Sequence, residues 1–219
     1  MNTAALLSLR SLRLALFILA GLAVGVVAAL AIFPAARERL LPGPGVRSVG
    51  QALVGGPFTL TDQSGRRVTD QDFRGKFMLV YFGFTFCPDV CPTALQVMAA
   101  ALEKLGPKQA DAIVPVLISV DPERDTPAQL GMYVKSFDPR LVGLTGSAAE
   151  IEAVAKAYRV YVKKVPDPKS SAGYTMDHSS IIYVMGPDGR YLTHFTHATS
   201  PDAMAERLAG LLRSQSARQ

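Results

Sequence analysis

From Leu14 to Phe33 the chain runs through 20 consecutive uncharged positions dominated by Leu, Ala, Val, Ile and Phe. A helix of that length crosses the roughly 30 Å hydrocarbon layer of a membrane, so a transmembrane anchor is expected there. A cleaved leader is the competing reading, because Arg10 and Arg13 precede the run and Ala35 and Ala36 follow it. Leader cores span only about 7–15 residues, and length therefore favours the anchor. Leu41-Pro42-Gly43-Pro44-Gly45 cannot continue a helix and reads as a stiff linker. The expected organisation is a tail at 1–13 on the cytoplasmic or matrix side and an anchor at 14–33. A linker at 34–49, a folded domain at 50–213 and a C-terminal tail at 214–219 follow.

Within the domain the pattern changes to short runs. Phe58–Thr61 and Arg67–Thr69 flank Asp62-Gln63-Ser64-Gly65, which signals a hairpin. Lys76–Phe84 and Ile113–Val120 are nearly unbroken apolar runs, as in strands buried on both faces. Thr93–Leu105, Thr126–Phe137 and Ser147–Tyr158 have helical patterning, with Gly106-Pro107 stopping the first and Pro127 in the first turn of the second. Leu141–Leu144 reads as a short strand and Val160–Lys164 as extended. A polar loop, Pro166–Gly173, leads to a strand at Ser179–Met185, a turn at Gly186–Gly189, a strand at Arg190–Phe195 and a helix from Ser200 to Leu212. Strands alternating with helices and closed by a hairpin predict an α/β fold, with a mixed sheet flanked by helices in thioredoxin-like order.

Charge narrows the function classes. The formal net charge is +5, yet the first 40 residues hold four arginines against one glutamate. That leaves 19 basic against 17 acidic residues for the rest, too small an excess for a phosphate-binding surface. Nucleic acid is not an expected partner.

The only two cysteines, Cys87 and Cys91, lie between a buried strand and a helix. That position favours ligands and thiolates, because strand ends diverge there and a helix N-terminus stabilises negative charge. A disulfide closing so short a loop would stabilise little, which points to chemistry: a metal clamp or a redox couple. Two thiolates and an imidazole form a soft donor set suited to copper. Of the three histidines, His178 follows a loop beside Asp177, a candidate to orient its ring, whereas His194 and His197 sit in a polar run that reads as surface. Asp121, after the second buried strand, stands open between supporting the site and shaping its loop. Asp125 and Thr126 read as helix caps before Pro127. The seven methionines form no array; Met176 reads as a core or loop residue, and Tyr174 is ambiguous.

Four ordered blocks carry a resemblance: Cys87-Pro88-Asp89-Val90-Cys91-Pro92, Asp121-Pro122-Glu123-Arg124-Asp125-Thr126, Val142-Gly143-Leu144-Thr145-Gly146 and Asp177-His178-Ser179. Over about residues 50–213 the chain resembles the SCO/SenC family of copper chaperones for cytochrome c oxidase assembly. The resemblance implies copper, as Cu(I) or Cu(II), held by Cys87, Cys91 and His178, with the family's aspartate falling on Asp121. It implies delivery to the dinuclear copper centre of oxidase subunit II, with other copper chaperones and thiol reductants as further partners. It also implies one N-terminal membrane anchor; the compact N-terminus favours a bacterial inner membrane with the domain in the periplasm over the mitochondrial arrangement facing the intermembrane space. Phe86 departs from the pattern, since many relatives carry His there. The alternative function is a thiol–disulfide oxidoreductase that keeps the oxidase cysteines reduced through Cys87 and Cys91. Their three-residue spacer departs from the Cys-x-x-Cys of thioredoxins.

Overall fold

The computed structural model describes residues 16–22, 25, 53–168 and 173–216. The chain divides into two units, Met1–Gln51 and Ala52–Gln219. In the first unit, residues 16–22 are helical, with Leu16, Phe17, Ile18, Leu19 and Leu22 exposed. Most of the expected anchor, the whole linker and the N-terminal tail lie outside the described residues. Among the described residues no helix is long and apolar enough to cross a membrane.

The second unit is built on a seven-stranded sheet. Its strands are β1 (Thr59–Asp62), β2 (Arg67–Thr69), β3 (Phe77–Gly83), β4 (Ile113–Ser119), β5 (Val142–Thr145), β8 (Ile181–Met185) and β9 (Tyr191–Thr196), in the order β2-β1-β5-β4-β3-β8-β9. β3, β4 and β5 are parallel, and β1 and β8 add antiparallel on either side. The expected mixed α/β sheet is thus present. All seven residues of β3 are buried, which explains its unbroken apolar run. Pro115 is tolerated inside β4 because β5 pairs only from Val116 onward.

Five helices surround the sheet: α1 (Val90–Leu105), α2 (Pro107–Ala110), α3 (Pro127–Val134), α4 (Ala148–Ala157) and α5 (Pro201–Ser216). α1 packs along α5, and Lys104 pairs with Asp202 at 2.8 Å. Thr126 caps α3 by accepting from the Gln129 amide, and Ser147 forms a capping box with Glu150.

Two expectations need correction. α1 begins at Val90, not Thr93, because Pro92 falls in the first turn, where its missing N–H costs no helical bond. Between the expected Pro166–Gly173 loop and the Ser179–Met185 run stands a strand that was not expected. Tyr174–His178 forms β7, paired antiparallel with β6 (Val162–Pro166) as a separate two-stranded sheet. Its polar, half-exposed side chains hid this strand from hydrophobic patterning.

Candidate metal centre

Gly83 closes β3 beside Ser119 at the end of β4, so the loops that follow both strands leave the same edge of the sheet. Space requires the glycine. A Cβ at position 83 would stand 2.8 Å from the Tyr81 ring and 3.1 Å from Cys91 Sγ.

Cys87 occupies the turn after β3, with its amide bonded to the Phe84 carbonyl at 3.3 Å, and Cys91 is the second residue of α1. Both are free thiols; Cys91 is fully buried and Cys87 retains 9% exposure. The N-cap residue Asp89 makes no side-chain capping bond. Cys87 Sγ takes that role, accepting from the amides of Cys91, at 3.3 Å, and Asp89. The Cys91 thiol donates to it as well. That bond foremost, then His178 and the two amides, overcome burial and lower the Cys87 pKa to about 4. Cys91 moves the other way, pushed far above the ordinary thiol range by its bond to Cys87 and by burial. The pair holds one negative charge at neutral pH, on Cys87.

His178 ends β7 and turns Nε2 toward Cys91 Sγ at 3.5 Å. Its Nδ1 lies 3.3 Å from the carbonyl of Ser179. A carbonyl only accepts, so Nδ1 is placed to donate to Ser179 while Nε2 faces the two sulfurs. The ring stands edge-on to Tyr81 and Phe84, with centroids 6.1 and 5.9 Å away. Tyr81 also reaches Cys91 Sγ through its hydroxyl at 3.8 Å. Asp177 does not orient the imidazole; it alternates to the other face of β7 and is exposed, while the Ser179 carbonyl takes its expected place. A cleft of about 280 Å³ opens over the site between Phe84, Cys87, Pro88, Met176, Asp177 and His178.

The other two histidines lie elsewhere. His194 Nδ1 meets the Tyr191 hydroxyl at 2.6 Å, and His197 lines a neighbouring cleft with Asp89 and Val97. Cys87, Cys91 and His178 meet pairwise through their hydrogen bonds. Among the described residues, no three His, Cys, Asp or Glu side chains converge on a common point as they stand. The donor types suit a soft ion, and holding one centrally requires the three to close together.

Asp121 is buried against Arg124 Nε and accepts from the Tyr174 hydroxyl at 3.0 Å. Asp125 is not a helix cap. It is fully buried and accepts from Thr85 N (3.0 Å), Thr85 Oγ1 (2.6 Å) and Ser119 Oγ (2.6 Å), tying the cysteine loop to β4. Burial raises its pKa.

The SCO1/SenC family model matches residues 46–213. The chain belongs to the SCO1/SenC family. A human SCO1/SenC relative, the mitochondrial SCO1 homolog, is 44% identical over 169 residues, covering 76% of this chain and 56% of its own. The chain spans 49–64% of the length of that protein and three similar eukaryotic relatives. Bradyrhizobium japonicum ScoI, solved with copper bound, is 50% identical with a TM-score of 0.66, covering 72% of this chain and 98% of its own. BsSco, described as having a disulfide switch and as a member of a family of cytochrome c oxidase assembly proteins, is 28% identical. Its TM-score is 0.59, with 75% of this chain and 96% of its own covered.

Sequence reasoning missed Gly83, Arg124 and the buried role of Asp125. A glycine ending an apolar run just before two cysteines was the available signal for the first. The other two depend on contacts between segments distant in sequence.

Proposed function

We propose that this domain is a copper carrier, binding one copper ion through Cys87, Cys91 and His178 and passing it to cytochrome c oxidase. The observation that carries this reading is the approach of His178 Nε2 to Cys91 Sγ at 3.5 Å, beside a Cys87 sulfur that accepts from the Cys91 amide at the head of the helix, which lowers its pKa. Thiolate sulfur and neutral imidazole are the forms that bind a soft cation, so the buried Cys91 thiol gives up its proton as the ion enters. Copper in related structures and the oxidase-assembly role of BsSco support the assignment. The finer reading is delivery to the dinuclear copper centre of oxidase subunit II by stepwise ligand exchange. The cleft of about 280 Å³ over Cys87 and His178 is the way in for an incoming ligand. The apolar run at Leu14–Phe33 supports an anchored protein with the domain exported, in the bacterial periplasm or the mitochondrial intermembrane space.

Anaerobic titration of the full-length reduced chain with Cu(I) tests the reading. One copper per chain is expected, lost in Cys87→Ser; a reduced chain that takes up no copper rejects it.

A second reading, thiol–disulfide exchange on the cysteines of another protein, is favoured by the asymmetry of the pair. An ionised Cys87 is the attacking thiol and a protonated, buried Cys91 the resolving one.

A further inference from the structure

β6 and β7 share no strand pairing with the main sheet, so other contacts must set where this hairpin sits. At its base, the Ser179 amide donates to the Tyr161 carbonyl and the Tyr161 amide to Ser179 Oγ, both at 3.1 Å. Val162 and Met176 pack from the hairpin against the edge of the core, and a cleft of about 660 Å³ opens beside them, lined also by Val120, Ile151 and Ala155, so core packing covers only part of the hairpin.

Toward the far end, Tyr174 is clasped. The Arg124 guanidinium lies 3.9 Å from the centre of its ring, and Lys164 Nζ lies 4.0 Å from the same centre. Arg124 Nη1 also donates to the Tyr174 carbonyl at 3.2 Å, and the Tyr174 hydroxyl donates to Asp121 at 3.0 Å. Arg124 is held by its ion pair with Asp121 and stacks over Phe86 at 4.7 Å and Phe84 at 5.7 Å. Its Nη2 is buried without a hydrogen-bond partner, so cation–π contact with the three rings contributes to its retention beyond hydrogen bonding.

Side chains alternate along a strand, so Tyr174, Met176 and His178 share one face of β7. Whatever fixes Tyr174 against the domain fixes the face that presents His178 to the thiols. Phe84 supplies a second path, touching both Arg124 and the His178 ring.

We infer that Arg124 and Tyr174 are the positioning residues of the site: by clasping the hairpin to the Asp121 loop they set how closely His178 approaches Cys91. The inference rests on the copper-carrier reading for its consequence, though the clasp itself is testable without metal. Loosening it lifts the third ligand while both sulfurs stay in place.

The test compares Arg124→Lys, Tyr174→Leu and Tyr174→Phe with the wild-type full-length chain. In the metal-free protein, amides of residues 162–166 and 174–178 should exchange with deuterium at least about ten-fold faster in Arg124→Lys and Tyr174→Leu, with β3 and β4 unchanged. Tyr174→Phe keeps the stacked ring and should restore most of the protection. In the copper-loaded protein, the first two variants should shift the sulfur-to-copper charge-transfer band and weaken affinity about ten- to a hundred-fold. Hairpin exchange unchanged in both variants overturns the clasp. Faster exchange with an unaltered copper band and affinity overturns its role in positioning. A wild-type chain that takes up no copper rejects the carrier reading instead, and the exchange data still decide the clasp.

Discussion

The amide of Cys91 points at the sulfur of Cys87 across 3.3 Å, so the first cysteine terminates the helix that carries the second. The sulfur stands where an aspartate or serine oxygen normally caps a helix, and it gains the same stabilisation of negative charge. An ordinary thiol loses about ten-fold in thiolate for each pH unit below about 8.5. Cys87, with its pKa lowered to about 4, keeps its thiolate through that range. Alkylation of the metal-free chain by iodoacetamide should therefore label Cys87 at a rate nearly constant from about pH 8 down to about pH 5 and falling below that. Cys91 should stay unlabelled until the domain unfolds. Mass spectrometry of timed samples checks both; a Cys87 rate climbing ten-fold per unit through neutrality contradicts the assignment.

His178→Ala separates the two functional readings. Loss of a direct ligand should weaken copper binding beyond the roughly 10–100-fold typical of outer partners. Oxidase assembly should fall in parallel, measured in cells that depend on this chain. Reduction of a disulfide peptide should persist, since Cys87 keeps its two amide donors. Lost peptide reduction together with unchanged copper affinity would reverse the ranking.

Gly83→Ala places a methyl against the Tyr81 ring and Cys91 Sγ. Overpacking of this kind costs about 1–3 kcal/mol. Here it should also displace the sulfur, so thermal melting and copper affinity should fall together. A melting temperature within error of wild type would mean that the end of β3 has slack the structure does not show.

Asp125→Ala removes the acceptor for one amide and two hydroxyls in the interior. An unsatisfied buried donor costs about 1–3 kcal/mol, and the hydroxyls can partly find new partners, so a loss of about 3 kcal/mol is expected in urea unfolding. Asp125→Asn retains one acceptor oxygen and should lose about 1 kcal/mol. Equal losses in the two variants would place the effect in packing rather than in hydrogen bonding.

Legibility in the sequence followed burial. β3 and β4 were readable because strands covered on both faces must be apolar throughout, and Thr126, Ser147 and Pro127 marked helix starts through local chemistry. That His178, rather than His194 or His197, lies beside the cysteine pair was also within reach. β7 was not, because Tyr174-Thr175-Met176-Asp177-His178 holds a single aliphatic side chain, Met176, among polar and amphipathic ones and pairs outside the main sheet. Asp125 looked like a cap because a helix begins two residues later, yet Thr126 does the capping and frees the carboxylate to turn inward. The partnership of Arg124 with Tyr174 joins residues 50 apart, and no local pattern encodes it.

The parallel register from Phe77↔Ile113 to Gly83↔Ser119 gives the domain a working end and a blunt end. Seven residues of strand separate them by about 23 Å. At the blunt end the exposed side chains of Lys108 in α2 and Asp188 in the turn after β8 are natural attachment points for fluorophores, surface tethers or fused domains. Cargo at the opposite end could then be followed in real time without the reporter disturbing it.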